Sequence, residues 1–276
     1  MIFRYLHVLC LGIVLPPILS SCEKEDAPQP AVAQCRLQKE TTDDGYYTLY
    51  HYDVEGNPTK IENYDPYKMT RVLDVFYDKL SLSEANKLHP MTFTTQYDAG
   101  FLTTKPSKAL VSVTMDSATR VNWRTYTFHY DPRGRLTTVG EESENVYNDD
   151  EWELLVSYND QDNVVKLVYR LTTGSSKLST VIMVDGFDDK QTVFSGVRGY
   201  KYLMSNWDNS DPGPIITALS KNNPTSYRLI VNDVQTMNVS IVYQYNEFGF
   251  PAELTVTNSN ESSKHSDRHT YTYICL

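Results

Sequence analysis

Tyr50-His51-Tyr52-Asp53-Val54-Glu55-Gly56 recurs as Phe128-His129-Tyr130-Asp131-Pro132-Arg133-Gly134 and again as Tyr243-Gln244-Tyr245-Asn246-Glu247-Phe248-Gly249. Val156-Ser157-Tyr158-Asn159-Asp160-Gln161-Asp162 is a fourth copy with Asp162 in the glycine place, and Tyr97-Asp98-Ala99-Gly100 is a fifth, one residue shorter. The pattern has a mechanical reading. Aromatic alternation makes the incoming arm a strand, Asp or Asn at the first turn position accepts local backbone hydrogen bonds, and Gly three residues on supplies the positive φ of a type I turn with a bulge. Each copy is therefore a hairpin corner.

Read backwards by twos, the copies give Tyr52, Tyr50 and Thr48; Tyr130, Phe128 and Tyr126; Tyr158, Val156 and Leu154; Tyr245, Tyr243 and Ile241. One sheet face is aromatic and apolar, while His51, His129, Ser157 and Gln244 share the opposite, wetter face. After each turn, Ile61, Val139, Leu167 and Leu254 fall at one common offset, as matching residues presented to a single core would. The spacing between copies is uneven, which argues against a strict solenoid or propeller. These signals predict one all-β domain over residues 35–276: an antiparallel β-meander of repeated hairpins, roughly a dozen strands, forming a strongly twisted or curled sheet with its aromatic face inward. A closed barrel is the alternative. Helix is expected to be scarce, the one candidate starting at Ser81, where Ser81 and Glu84 have capping-box spacing ahead of Ala85 to Leu88.

The segment before that domain has a different composition. Arg4 is followed by an apolar run too short to cross a bilayer, which closes on Leu19-Ser20-Ser21-Cys22. That tetrapeptide resembles the lipobox of bacterial lipoproteins. The resemblance implies removal of residues 1–21 as a signal peptide and acylation, palmitate included, of Cys22. Residues 22–34 then read as a flexible tether with Pro28, Pro30 and scattered charges. Of the four cysteines, Cys10 leaves with the signal and Cys22 is the lipidation site, so Cys35 and Cys275 are the two that can pair. Outside the cytoplasm such a bond, closing a loop of about 240 residues, stabilises by roughly 5 kcal/mol in the chain-entropy model. The other reading of the pair is two buried free thiols.

The Tyr-x-Tyr-Asp-x-x-Gly hairpins resemble the tyrosine-aspartate repeats of large bacterial shell and toxin proteins. With the lipobox, the acidic stretch after it, Lys221-Asn222-Asn223-Pro224 and the closing Tyr271-Thr272-Tyr273-Ile274-Cys275, the chain is similar to an uncharacterised lipoprotein family of Gram-negative gut and oral anaerobes. That family carries no assigned activity. Glu23-Lys24-Glu25-Asp26 resembles the acidic export stretch that follows the cysteine in surface lipoproteins of those bacteria, which implies a lipid-anchored protein of the outer membrane, at the cell surface.

Chemistry is sparse by comparison. No Gly-x-Ser-x-Gly elbow, His-Glu-x-x-His pair or phosphate-binding glycine loop occurs, so no enzymatic activity, metal or cofactor is expected. His51 and His129 read as polar positions on a solvated strand face, and His265 and His269 as part of a hairpin loop running into a strand. The acidic clusters 148–151, 160–163, 185–189 and 208–211 lack the alternating donors and glycine bend of a calcium loop and read as solvated turns. Trp152, after an acidic turn, and Trp207, in the long irregular segment 205–225, are the ligand-binding candidates. The net charge of −10, made by 25 basic against 35 acidic residues and one unit more negative once Arg4 is lost, leaves no basic footprint for nucleic acid. The chain is thus expected to be a membrane-anchored, non-enzymatic binding or structural module of the envelope, with a glycan or envelope protein as partner. The alternatives are a periplasmic carrier of lipid or another apolar ligand, which needs an unfilled apolar concave face, and a glycan-directed enzyme.

Overall fold

The computed structural model describes residues 35–275 apart from 89–90, 101–104, 116–118, 144–149, 174–175, 198, 204–211 and 261. The signal segment, Cys22, the tether and Trp207 lie outside the described residues. Among the described residues sixteen strands follow one another: β1 (Cys35–Thr42), β2 (Tyr47–Tyr52), β3 (Pro58–Tyr64), β4 (Met69–Phe76), β5 (Ser81–Asn86), β6 (Met91–Tyr97), β7 (Lys108–Met115) and β8 (Thr119–Tyr130) in the first half. The second half holds β9 (Leu136–Ser143), β10 (Asp150–Tyr158), β11 (Val164–Thr173), β12 (Ser176–Gln191), β13 (Asn222–Val231), β14 (Val234–Tyr245), β15 (Pro251–Ser259) and β16 (Lys264–Cys275). Two short helices, α1 (Tyr200–Leu203) and α2 (Pro212–Leu219), lie between β12 and β13.

Every strand pairs antiparallel with the next, and β16 returns to β1 from Cys35 opposite Cys275 to Thr42 opposite His269, so the meander is a closed barrel rather than an open curled sheet. Cys35 and Cys275 are disulfide-bonded at the end of this seam. Closure removes both sheet edges, which an open meander would leave as unpaired backbone. The sixteen strands exceed the expected dozen, and residues 81–86 are one of them. Ser81–Asn86 is hydrogen-bonded on both sides, to β4 and β6, with Leu82 turned into the core. Two ladders outweigh a local capping signal worth about 1 kcal/mol.

The repeated turns all lie at one end of the barrel. In each of the four full copies the first turn residue, Asp53, Asp131, Asn159 or Asn246, accepts the amide of the residue four places on through its side chain, at 2.7 to 3.0 Å. Its carbonyl accepts the amide of the residue three places on: Gly56 at φ +82°, Gly134 at +79°, Gly249 at +81° and, in the fourth copy, Asp162 at +66°. The tyrosines at this end do more than fill space. The hydroxyls of Tyr52, Tyr77, Tyr130, Tyr158, Tyr243 and Tyr273 each donate to a backbone carbonyl at or near the start of the preceding odd-numbered strand, those of Leu37, Pro58, Pro106, Leu136, Pro224 and Pro251, at 2.5 to 3.0 Å. Each clamp holds the open end of a hairpin shut.

The two wall faces are sorted as the alternation requires. Inward positions include the four residues at the common offset, Ile61, Val139, Leu167 and Leu254, which are 8, 0, 0 and 8 % exposed. A fully buried Leu or Ile contributes about 1.5–3 kcal/mol. Many outward positions are polar: Lys60, Asp74, Ser83 and Thr94 form one cross-strand row. Ion pairs decorate the same face, Arg170 with Glu153 at 3.2 Å and Arg228 with Asp185 at 2.8 Å, and His51 is hydrogen-bonded with Glu62 at 3.0 Å. One apolar row, Leu155, Val168, Val181 and Ile230, crosses four strands between the row of Glu153 and Arg170 and the row of Lys166 and Arg228. A membrane-spanning barrel instead presents an apolar band about 25 Å tall, and each Lys or Arg at its midplane costs about 2–4 kcal/mol. Here charged rows flank the apolar one on both sides.

Candidate functional site

A barrel of sixteen strands encloses more space than wall side chains fill, and in porins of that size it leaves an aqueous channel. Here residues 192–197, 199–203 and 212–221, between β12 and β13, enter the lumen as a plug. Val193, Phe194, Val197, Tyr202, Ile215 and Ile216 are buried and belong to the same apolar core as the wall. Pro212 starts α2, where its missing amide costs nothing, and the helix buries Ile215 and Ile216. Polar pins fix the plug at the repeated-turn end. Tyr202 accepts from Tyr97 through its carbonyl at 2.5 Å, and its hydroxyl meets that of Tyr130 at 2.9 Å. Where the chain leaves the plug, the Asn222 amide donates to Asn163 at 2.8 Å, and buried Asn223 donates to Gln191 and Asp188. At Gly196 the plug touches the first strand so closely that a Cβ would lie 2.1 Å from the Cys35 carbonyl oxygen.

Between the plug and the inner face of β13, β14, β15, β16 and β1 a cavity of about 360 Å³ remains. That volume falls at the lower end of the roughly 300–1,000 Å³ range of small-molecule pockets. Its lining is graded along the barrel axis. Near the plug it is apolar and aromatic, with Val193, Phe194, Tyr227, Ile241, Tyr243 and Leu254. Toward the opposite mouth it gains polar groups, Glu40, Asn258, Asp267 and His269, beside Met237 and Val256. Glu40 Oε1 lies 3.0 Å from His269 Nδ1 and accepts from the Tyr271 hydroxyl at 3.4 Å. Burial pushes the Tyr271 hydroxyl well above its ordinary range, and Glu40 adds to the effect. Tyr50 beside them is raised likewise, by burial first and then by Tyr200 and Glu40. Tyr50 and Tyr271 therefore stay protonated.

The opposite arc of the mouth holds its charges in pairs. Arg124 lies 3.1 Å from Glu141, whose carboxylate also accepts the Trp152 indole N–H. Tyr126, with its ring 6.2 Å from that of Trp152, is pushed up to about 12 by burial and then by Glu141. Arg71 meets Glu84 at 3.4 Å on the same arc. Trp152 therefore stands inside the barrel with its donor spent on Glu141, and it does not line the cavity. The placement of Trp207 lies outside the described residues.

Other residues singled out in the sequence are dispersed. His51 and His129 stay on the outer face, and both are exposed. His265 and His269 lie on β16 rather than in a loop, His265 beside Asp267 at 2.8 Å. Among the described residues no three His, Cys, Asp or Glu side chains gather as a metal site. Of the acidic clusters, Asp185 pairs with Arg228, Asp162 with Arg133 and Arg135, and Asp188 anchors Asn223 and Tyr245. Sequence reasoning missed Glu40 and Asp267 as cavity residues, because they converge only across the β1–β16 seam.

No protein-family model matches the chain, and no curated protein matches it in sequence. Solved structures do share its fold. A porin-like protein from Bacteroides uniformis superposes with a TM-score of 0.54 at 10 % identity, covering 89 % of this chain and 98 % of that one. A porin-like protein from Bacteroides vulgatus gives 0.55 at 11 % identity, covering 86 % and 98 %. At that identity the likeness is one of fold.

Proposed function

We propose that this protein is a non-enzymatic envelope lipoprotein whose barrel stands in water and binds an apolar or amphipathic small molecule in its lumen. The observation that carries the reading is the contrast between the two faces of one wall: ion pairs outside, and an apolar cavity beside a plug inside. This favours the carrier alternative over a glycan or protein partner held on the surface. The envelope location rests on the Leu19-Ser20-Ser21-Cys22 resemblance and is in keeping with the porin-like fold. Cys22 would carry acyl chains, and the tether to Cys35 spans at most about 45 Å. It joins the barrel at the plugged, repeated-turn end, since β1 starts there.

The test is displacement of an apolar naphthylamine fluorophore from the full mature chain, with Cys22→Ala used to keep it unacylated. The expected result is saturable, one-site binding in detergent-free buffer. Val256→Trp, which fills the cavity from β15, is expected to weaken it more than about tenfold with the melting transition retained. A protein that needs detergent to stay dispersed, or a Val256→Trp variant that binds as before, would contradict the proposal. Surface exposure is tested separately, by protease treatment of intact cells.

A further inference from the structure

We infer that the cavity selects its ligand by head group, taking neutral hydroxylated or cationic amine heads and rejecting carboxylates and phosphates. This rests on the lumen being the binding site. The grading of the lining orients an amphipath with its tail against Phe194 and Leu254 and its head beside Glu40 and Asp267. At that head position the wall offers acceptors. Glu40 engages His269 and Tyr271 through Oε1 alone, and Asp267 engages His265 through Oδ1 alone, which leaves an oxygen on each carboxylate for a ligand donor. Asn258 adds an amide able to accept or donate.

No lysine or arginine is among the described residues lining the cavity. The arginines of the inner wall, Arg71 and Arg124, stand on the other arc beside Glu84 and Glu141. A ligand carboxylate or phosphate would have to lie beside two carboxylates, in a partly desolvated space where like charges repel far more strongly than in water. An alcohol or ammonium group meets acceptors there instead. This rim is an acid-lined mouth over an apolar floor, the reverse of what an anionic lipid requires.

The experiment compares dodecanol, dodecylamine, dodecanoate and dodecyl phosphate as competitors of the same fluorophore, at low and at high salt. High salt removes the long-range pull of the acidic protein on the amine and leaves the local preference. Dodecanol and dodecylamine are expected to displace the probe at concentrations at least about tenfold below dodecanoate and dodecyl phosphate, at both salt levels. In the double variant Glu40→Gln with Asp267→Asn, dodecanoate is expected to come within about twofold of dodecanol. Equal or better displacement by dodecanoate in the unaltered protein overturns the inference while leaving the lumen reading intact. Failure of the fluorophore to bind at all overturns both. The ranking in the unaltered protein decides the matter even if the double variant fails to fold.

Discussion

The two ends of the barrel are built by different rules. At the end with the repeated turns, four loops share one hydrogen-bond scheme, six tyrosine clamps close the hairpins, and the plug is pinned through Tyr202 and Asn223. At the other end the described turns follow different schemes from that one and from each other in part: Asp65 and Asn260 each accept the amides two and three residues on, whereas Asn232 and Asp233 take positive φ in succession. That end also gathers the polar mouth of the lumen. One end fixes the barrel and the other admits something to it, a division in which a rigid scaffold carries its binding groups where the restraint is lower.

If the repeated-turn end is the clasp, opening its seam should have the largest effect. Replacing both Cys35 and Cys275 with Ser is expected to cost about 2–4 kcal/mol in denaturant unfolding. The reduced protein should match the variant. No loss in either would mean that the β1–β16 ladder alone closes the ring.

Plug insertion comes next. Gly196→Ala places a methyl group against the Cys35 carbonyl, and because the obstacle is backbone it cannot swing aside as a side chain would. A destabilisation of about 1–3 kcal/mol is expected, together with weaker fluorophore binding, since the plug forms the floor of the cavity. Unchanged stability and binding would detach the plug from the clasp.

Single clamps rank below that. Tyr130→Phe leaves the Pro106 carbonyl without its donor and removes the contact with the Tyr202 hydroxyl, for a loss of about 1–3 kcal/mol. At the opposite mouth, Thr48→Val removes a half-buried hydrogen bond in which the Asn63 amide donates to the Thr48 hydroxyl, and is expected to cost less than about 1 kcal/mol. Equal losses, read by thermal melts of the two variants, would erase the proposed asymmetry.

Acid probes the turns individually. Asp131 is held below the ordinary carboxylate range by the amide of Arg135 and then by its guanidinium. For Asp53, burial pushes upward but is outweighed by the amide and side chain of Asn57. A carboxylate depressed in the folded state contributes stability that is complete above the unfolded pKa of about 3.9 and lost as pH falls through the lower folded value. Amide exchange at Gly56 and Gly134, corrected for intrinsic rates, is therefore expected to accelerate on acidification below about pH 4 relative to Gly249, whose turn is headed by the non-titrating Asn246. Parallel behaviour of all three would show that the aspartate charge contributes nothing to the turns.

The repeated-turn end was legible in the sequence because its information is local. Seven consecutive residues specify each corner, and period-two alternation assigns Tyr50, Phe128 and Ile241 inward without knowledge of any partner strand. The cavity was not legible, and one residue explains much of the reason. Between Leu37 and Lys39 the β1–β16 register shifts, so Gln38 is extra, and both Leu37 and Glu40 point inward. Without that bulge, alternation from Leu37 would turn Glu40 outward, and a sequence reading has no local signal for it. Ser81–Asn86 failed for a related reason, since its strand state is imposed by neighbours on both sides.

The smallest expected effect lies inside the repeat itself. Asp162 is the copy without glycine, at φ +66°, and its carboxylate meets Arg133 and Arg135, each at 2.9 Å. Asp162→Gly would relieve a left-handed backbone cost of about 1–2 kcal/mol for a residue with a Cβ. It would also give up two partly exposed ion pairs, each worth about 0–1 kcal/mol. These terms nearly cancel, so the melt should shift little in ordinary buffer. High salt separates them, because it screens the ion pairs and leaves the backbone term, and there Asp162→Gly is expected to be the more stable protein by up to about 1 kcal/mol. A variant that is less stable at every salt concentration would mean that the arginine pair, rather than the turn backbone, holds this corner, and the four copies would then be alike in shape but not in cause.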